Sequence, residues 1–473
     1  MTMNNGDPII TNGPDSADPE TLSFTRHQPE WEEHILKLIY RENKDELHAF
    51  LKDLFPADIA YLFERLEFED SLYLFQCLDA KTRGEILLEI DETFRDKIIN
   101  TILPKDLAEI VAKQESDAAT DILADLKFDT LSEVLSYIPF QERSKIAELL
   151  SYPENTAGSL MSKEFAAVSE KDTIQKAIQT LRKISKGTED IYTVYVLDDE
   201  GKYRGHLSLK SLILANPHSK VKRIIETELL PIPVDMDREE VANFFDRYNF
   251  ISLPVVDIRG VMIGRITVDD IIDVIQEEAN EDILRMGGVS RDETFNTPIL
   301  TSSLKRASWL TVNLFTAFIA ALVIKSFEAT IEKVVILAAL MPIVAGMGGN
   351  AAGQSMTIII RNIALGDLTT SNIPKVFRRE VILGILNGIS MGSLTGIVVY
   401  TVTGNIILSM VISSAMLFNL IIASISGTIV PYFLTKLKID PAIASSILVT
   451  TFTDVLGFSI FLGFAYISLP FLV

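Results

Sequence analysis

The run Ala442–Val473, AIASSILVTTFTDVLGFSIFLGFAYISLPFLV, decides what kind of protein this is. It is long enough to cross a bilayer as a helix, and Asp454 is the only charged group in it. A lone carboxylate at bilayer depth costs roughly 3 kcal/mol or more unless it meets water, a cation or a partner. The run therefore reads as a membrane helix that carries an ion or proton pathway. The structural alternative is an Asp held by the hydroxyls of Thr450, Thr451 or Thr453. From Lys305 onward the other acids are Glu328, Glu332, Asp367, Glu380 and Asp440, all expected in loops or at the ends of apolar runs.

Four more apolar runs can span, at about 307–327, 334–360, 381–402 and 406–434. Residues 305–473 hold ten Lys/Arg and six Asp/Glu, a net of +4 against −21 for the whole chain, so residues 1–304 carry −25. That acidity argues against nucleic acid and anionic lipid as partners and suits a surface that collects cations. Lys305 and Arg306, then Arg361, Lys375, Arg378 and Arg379, then Lys436 and Lys438 mark one side of the membrane. On the other side, Glu328 and Glu332 offset Lys325 and Lys333. The positive-inside rule puts the N-terminal part in the cytosol and the C-terminus outside. Residues 1–28 are polar, lack the apolar core of a signal peptide and are expected to be disordered. A single cysteine, Cys77, excludes an internal disulfide and a Cys-based metal site.

Two repeats organise the acidic part. Leu54, Leu78, Ile102 and Leu126 recur every 24 residues. So do Leu62, Ile86, Ile110 and Val134, and also Phe63, Leu87, Val111 and Leu135. Helix-start signals fall between these columns at Pro56-Ala57-Asp58, Asp79-Ala80-Lys81, Pro104-Lys105-Asp106 and Phe128-Asp129. The period predicts a stacked, superhelical α-domain, the alternative being an ordinary helical bundle. The second repeat has period 59: VLDDEGKYRG at 196–205 returns as VVDIRGVMIG at 255–264. Each copy predicts strand, turn at Gly, strand, and a helix from Ser208 or Thr267. The segments 167–185 and 233–248 before them each read as a strand followed by an amphipathic helix.

The densest acidic feature follows: Asp269, Asp270, Asp273, Glu277, Glu278, Glu281 and Asp282. Asp270, Asp273, Glu277 and Glu281 are spaced to share one helix face, which like charges destabilise unless cations bridge it elsewhere. Hard divalent cations such as Mg²⁺ want such oxygen ligands. A solvated acidic face is the alternative. In the second span, Pro342 precedes Gly346-Met347-Gly348-Gly349-Asn350-Ala351-Ala352-Gly353-Gln354. Three glycines in four residues are expected to break the helix and free carbonyls, which a membrane tolerates along a cavity or at close helix packing.

The period-59 repeat resembles a tandem pair of CBS modules over about 160–276. That resemblance implies a regulatory pair binding ATP or another adenosine nucleotide, with Gly264, Thr267 and Asp270 as its ribose-contacting residues. The first copy has Ser211 where Asp270 stands, so at most one good nucleotide site is expected, and N-capping explains Thr267 and Asp269 equally well. The chain as a whole resembles the MgtE family of magnesium channels, or transporters. The resemblance rests on SYPENTAGSLM at 151–161, Thr267-Val268-Asp269-Asp270 with the acidic helix, Gly346–Gln354, and Thr453-Asp454-Val455-Leu456-Gly457.

It implies a homodimer in a prokaryotic cell membrane, with a Mg²⁺ pore on the two-fold axis. Asp454 from both copies would face the ion, with Gly346, Gly349 and Thr450 lining the filter and Glu332 at the outer mouth. Cytosolic Mg²⁺ would close the pore by binding Asp117 in the N-terminal domain and Asp237 and Glu239 in the second CBS module. Asp270, Asp273, Glu278, Glu281 and Asp282 would be its ligands on the connecting helix. The implied domains are a tail at 1–28, a superhelical α-domain at 29–158 and an α/β CBS pair at 159–276. A long connecting helix at 277–304 and a five-helix membrane domain at 305–473 complete them. Ala352, Gly353, Ser446 and Ile447 depart from the family's pattern, which bears on secondary pore contacts. Two alternatives stay open: a cation-coupled secondary transporter with Asp454 as carrier, and a CBS-regulated membrane sensor without transport. Five histidines and one cysteine form no recognisable catalytic set, and there is no phosphate-binding glycine loop, so an enzyme is not expected.

Overall fold

The computed structural model describes residues 29–40, 44–52, 54–63, 65–185, 191–290, 293, 297–369 and 371–472. The expected tail, 1–28, lies outside them. The chain divides into two compact units. One takes the chain to Val241 together with Asn249–Asp270, and the other takes Ala242–Tyr248 and everything from Ile271 onward.

The first unit begins with α1 (Pro29–Tyr40) and α2 (Lys44–Lys52), and then the 24-residue repeat becomes pairs of short helices. The first members are α3 (Pro56–Phe63), α5 (Ala80–Glu89), α7 (Pro104–Val111) and α9 (Phe128–Tyr137), whose starts fall 24 residues apart. The second members, α4 (Phe68–Cys77), α6 (Glu92–Thr101), α8 (Ser116–Leu123) and α10 (Phe140–Leu149), keep the same period. Asp79 caps α5 by accepting from the Lys81 and Thr82 amides, and Pro104 opens α7 where no amide is needed. The periodic columns are the core: Leu62, Ile86, Ile110 and Val134 are all buried, as are Phe63, Leu87 and Val111. Leu54, Ile102, Leu126 and Leu135 pack against that core partly buried.

A short helix, α11 (Ala157–Leu160), leads into two three-stranded sheets. The first contains β1 (Ala167–Ser169), β2 (Thr193–Leu197) and β3 (Tyr203–Ser208), with α12 (Ile174–Ile184) and α13 (Leu209–Leu214). The second contains β4 (Ile232–Pro233), β5 (Ser252–Val256) and β6 (Met262–Thr267), with α14 (Arg238–Tyr248). In each sheet the first pair is parallel and the second antiparallel, and the register shift at Val196/Leu197 recurs 59 residues later at Val255/Val256. Helix α15 (Val268–Met286) starts straight after β6. The connecting helix expected over 277–304 is thus the C-terminal half of α15 and ends at Met286. Gly287-Gly288 stops it, Gly288 taking a φ of +72°.

The second unit carries α16 (Ile299–Ser326), α17 (Glu328–Lys333), α18 (Ile336–Ala364), α19 (Ile373–Thr403), α20 (Ile406–Lys436), α21 (Pro441–Ile467) and α22 (Leu469–Leu472). Among the described residues, five helices, α16 and α18–α21, are long and apolar enough to cross a membrane. Two start eight residues before the apolar runs read from sequence, because Lys305, Arg306, Lys375, Arg378 and Arg379 sit on helix rather than in loops. The α19–α20 hairpin turns on Gly404, at φ +68°, and on Asn405, which accepts from the Ile407 and Leu408 amides.

A seam of buried glycines, Gly384, Gly388, Gly392 and Gly396, lets α20 lie against the backbone of α19. A Cβ at Gly392 would stand 2.7 Å from the Ser413 carbonyl oxygen, and backbone cannot step aside cheaply. Gly392→Leu is expected to cost about 3 kcal/mol or more by overpacking. Its detergent unfolding midpoint should fall well below those of wild type and Gly463→Ala, the latter placing a Cβ where nothing lies within 4 Å.

Candidate functional site

Asp454 lies mid-helix in α21, partly buried, with Thr450 exposed one turn earlier on the same face. The hydroxyl of Thr451 donates to the Ile447 carbonyl at 2.7 Å and that of Thr453 to the Thr450 carbonyl at 2.9 Å. Neither hydroxyl therefore donates to Asp454, which removes two of the three donors the structural alternative needed. On α18 the glycine run does not break the helix, which is continuous from Ile336 to Ala364 through Pro342. The expectation of freed carbonyls fails there because helical hydrogen bonding continues across the run. The glycines divide by face instead. Gly346, Gly349 and Gly353 look onto open space, while a Cβ on Gly348 would stand 2.5 Å from the Asn419 amide nitrogen. Glu332 is exposed on α17.

Two buried polar residues of the membrane helices carry more than their sequence positions suggested. Asn419 of α20 is fully buried and donates to the Val344 carbonyl at 2.7 Å. It is wedged between Gly348 of α18 and Gly457 of α21, where a Cβ would stand 2.7 Å from its side-chain oxygen. Asn419 thus sets the spacing of the two helices that carry Gly346, Gly349, Thr450 and Asp454. The signal was available: one Asn inside an otherwise apolar run, with glycines on two other spans. Glu380, expected at the edge of an apolar run, is the eighth residue of α19 and only 2 % exposed. The adjacent Arg378 and Arg379 made that stretch look like loop, but helix α19 begins at Ile373 and carries all three residues.

In the first unit the N-terminal domain docks on the CBS pair around Ser116. The Ser116 amide and hydroxyl donate to Glu164 at 3.0 and 2.6 Å, and Lys145 pairs with the same carboxylate at 2.6 Å. Those three donors outweigh burial and hold the Glu164 carboxyl below its usual range. Arg265 of β6, itself buried, pairs with Glu115 at 3.1 Å. Asp117, two residues after Glu115, is thereby brought near Asp270. Burial first, then the Asp270 charge, push the Asp117 carboxyl well above the ordinary carboxylate range. Asp270 also accepts from the Thr267 hydroxyl at 2.7 Å, so the two polar residues of the nucleotide reading are bonded to each other. A Cβ at Gly264 would stand 2.7 Å from the Met161 sulfur, so close approach of the 161–162 segment accounts for that glycine. Asp237 and Glu239 are exposed at the start of α14, Asp237 accepting from the Glu239 amide at 2.9 Å.

In the second unit the four remaining sensor candidates differ in surroundings. Asp273 is exposed, Glu278 and Asp282 are partly buried, and Glu281 is buried. Glu281 pairs with Arg285, which also pairs with Asp440. Asp440 caps α21 by accepting from the Ala442 amide at 2.7 Å. The end of α15 is therefore tied to the start of the helix that carries Asp454, and Met286 packs beside Met356, Val430 and Val449. Burial, then the charges of Asp440 and Glu278, push Asp282 up to about 6. Sequence reading missed the pairing of Arg285 with Asp440 because it spans 155 residues. Among the described residues, no three His, Cys, Asp or Glu side chains converge closely enough to hold one metal ion. The sequence-chosen sensor acids are thus brought together in part only, Asp117 with Asp270 and Glu278 with Asp282.

Five membrane helices with a mid-span acid, following a helical repeat domain and a CBS pair, define a multipass membrane transporter with an attached part outside the membrane helices. A family model described as a divalent cation transporter matches residues 341–464, one for the MgtE intracellular N domain matches 54–155, and the CBS domain matches 157–217 and 221–277. The chain belongs to the MgtE family. It is 32% identical over 438 residues to the magnesium transporter MgtE of Bacillus subtilis, covering 92% of this chain and 97% of that protein. The Thermus thermophilus magnesium transporter MgtE is 35% identical over 327 residues, covering 69% of this chain and 72% of that one. Among solved structures, a cytosolic domain of the Mg²⁺ channel MgtE in complex with ATP is 29% identical, with 51% of this chain and 99% of that one covered and a TM-score of 0.49.

Proposed function

We propose that this protein is a magnesium channel that lets Mg²⁺ into the cell and is closed by Mg²⁺ in the cytosol. The observation that carries the reading is Asp454: a mid-span carboxylate, partly buried, that the neighbouring Thr451 and Thr453 hydroxyls do not serve. A cation is the counter-charge that best offsets its burial, and a second copy of the chain would bring a second Asp454 to the same ion. Gly346 and Gly349, with open space beside them, are the proposed approach of backbone to the ion, and Thr450 and Glu332 its further contacts. The ion keeps part of its water shell, as Mg²⁺ usually does. The orientation follows from the loop charges, with the regulatory part in the cytosol and the C-terminus outside.

Gating follows from the acids. Asp117 and Asp270 repel when both are ionised, as do Asp282 and Glu278. Mg²⁺ bridging these groups, together with Asp237, Glu239, Asp273 and Glu281, would hold the cytosolic parts together and the pore shut. Loss of the ion would restore the repulsion and release them, which makes the feedback negative. An adenosine nucleotide belongs to the same proposal at the second CBS module, where Thr267 and Asp270 supply a hydroxyl and a carboxylate for a ribose. The Arg285 pairings with Glu281 and Asp440 are the proposed link from α15 to α21. Arg285→Gln should leave Mg²⁺ flux intact but raise the cytosol-side Mg²⁺ needed for half-closure about fivefold or more. Unchanged closure in proteoliposomes would remove that link from the mechanism.

Asp282 gives a separate pH signature. Its carboxyl holds a proton up to about 6 in the folded chain against 3.8 ordinarily. The folded state therefore binds more protons between those values, so stability rises as pH falls through 6 and the penalty is full above it. In Mg²⁺-free buffer, Asp282→Asn should unfold at a higher temperature than wild type at pH 7.5, and the difference should shrink at pH 5. Equal differences at both pH values would contradict it.

A further inference from the structure

Glu380 sits in a place that neither the Asp454 pathway nor the cytosolic acids use. It is buried in α19 two turns from the start of the helix, and the Ser355 hydroxyl of α18 donates to its Oε2 at 2.8 Å. Its Oε1 has no hydrogen-bond partner among the described residues. That oxygen belongs to a residue lining a cavity of about 80 Å³ between α18, α19 and α20, whose other polar walls are Gln354, Ser355, Asn387 and Ser424. Gly384, one turn beyond Glu380, makes room there, since a Cβ would stand 2.9 Å from the Ser424 hydroxyl. Gln354 and Asn387 are themselves exposed, so two amides sit at the surface beside the cavity.

The chemistry of this cavity is specific. A carboxylate oxygen left unpaired in a buried site costs several kcal/mol, and such a group persists where an ion or ordered water compensates it. The walls offer carboxylate, hydroxyl and amide oxygens with no sulfur or imidazole, which suits a hard cation. Room for a water needs roughly 10–15 Å³ by this measure, so the cavity accommodates a cation together with several waters. One carboxylate plus retained water is the usual coordination of Mg²⁺.

We propose that the Glu380 cavity is a second intramembrane cation site, taking a partly hydrated divalent ion of the Mg²⁺ class near the cytosolic ends of α18 and α19. Ser355 lies six residues, roughly 9 Å, beyond Gly349 on the same helix. An ion there ties α18 to α19 and α20 through Ser355, Glu380 and Ser424. The cavity depends on Glu380 and its neighbours alone and stands whether or not Asp454 conducts.

The test counts Mn²⁺, a spectroscopically visible ion of the same class, bound to the full chain in nanodiscs. Wild type, Glu380→Gln, Asn387→Leu and Asp454→Asn are compared by the free-ion electron paramagnetic resonance signal. Glu380→Gln keeps the shape and removes the charge, while Asn387→Leu keeps the charge and fills the cavity. Should one fail to fold, the other still decides. The expected result is a loss of about one Mn²⁺ per chain in each cavity variant, and in the Asp454→Asn/Glu380→Gln double variant a further loss beyond Asp454→Asn alone. A full count in folded cavity variants overturns the proposal and leaves the cavity to water. Lost conduction in Asp454→Asn with this count intact would bear on the pore alone.

Discussion

Asp454→Asn is expected to reduce Mg²⁺ flux by roughly a hundredfold or more, equivalent to about 3 kcal/mol of lost stabilisation along the ion's path. The substitution preserves size and one oxygen but removes the charge proposed to make a partly dehydrated divalent ion tolerable at mid-span. The change should show in conduction rather than in folding. Asp454 is partly exposed, and the hydroxyls of Thr451 and Thr453 are committed to their own helix. Flux into proteoliposomes, with the unfolding midpoint measured alongside, separates the two. A variant that conducts normally would move the pathway away from α21. One that unfolds would make Asp454 a structural residue.

The second large effect divides residues two apart in one sequence run. Gly348→Ala puts a methyl group 2.5 Å from the amide of Asn419, which is buried and held by the Val344 carbonyl. Either Asn419 leaves its bond or α18 and α20 separate, and overpacking of this kind costs about 1–3 kcal/mol. Gly346→Ala meets nothing within 4 Å in the chain, and replacing a mid-helix glycine with alanine otherwise adds about 0.5–1 kcal/mol. Gly348→Ala should therefore lower the unfolding midpoint while Gly346→Ala holds or raises it. The latter should still slow Mg²⁺ flux if that face approaches the ion. The opposite ranking of midpoints would mean that Asn419 does not set the spacing of α18 and α21.

The fold was legible where a period spans the whole element. A 24-residue spacing places every first helix of the N-terminal repeat, because each pair of short helices must bury the same columns against its neighbours. The 59-residue spacing likewise carries β2 and β3 onto β5 and β6, register shift included. Asp454 stood out because charge in an apolar run is rare. Glu380 did not, because two arginines beside it disguised a helix interior as a boundary. Glycines read as a helix break turned out to serve helix contact at Gly348 and open space at Gly346. Pairings such as Arg285 with Asp440 and Asn419 with Val344 join distant parts of the chain, and no local pattern announces them.

The most direct measurement is Mg²⁺ influx into proteoliposomes of the wild-type chain under an imposed membrane potential, with no proton or sodium gradient. Mg²⁺ at the cytosolic face is then raised stepwise. Potential-driven influx that declines as cytosol-side Mg²⁺ rises is the expected result. Influx that begins only when a proton or sodium gradient is added, or that ignores cytosol-side Mg²⁺, would contradict a passive channel closed by its own ion.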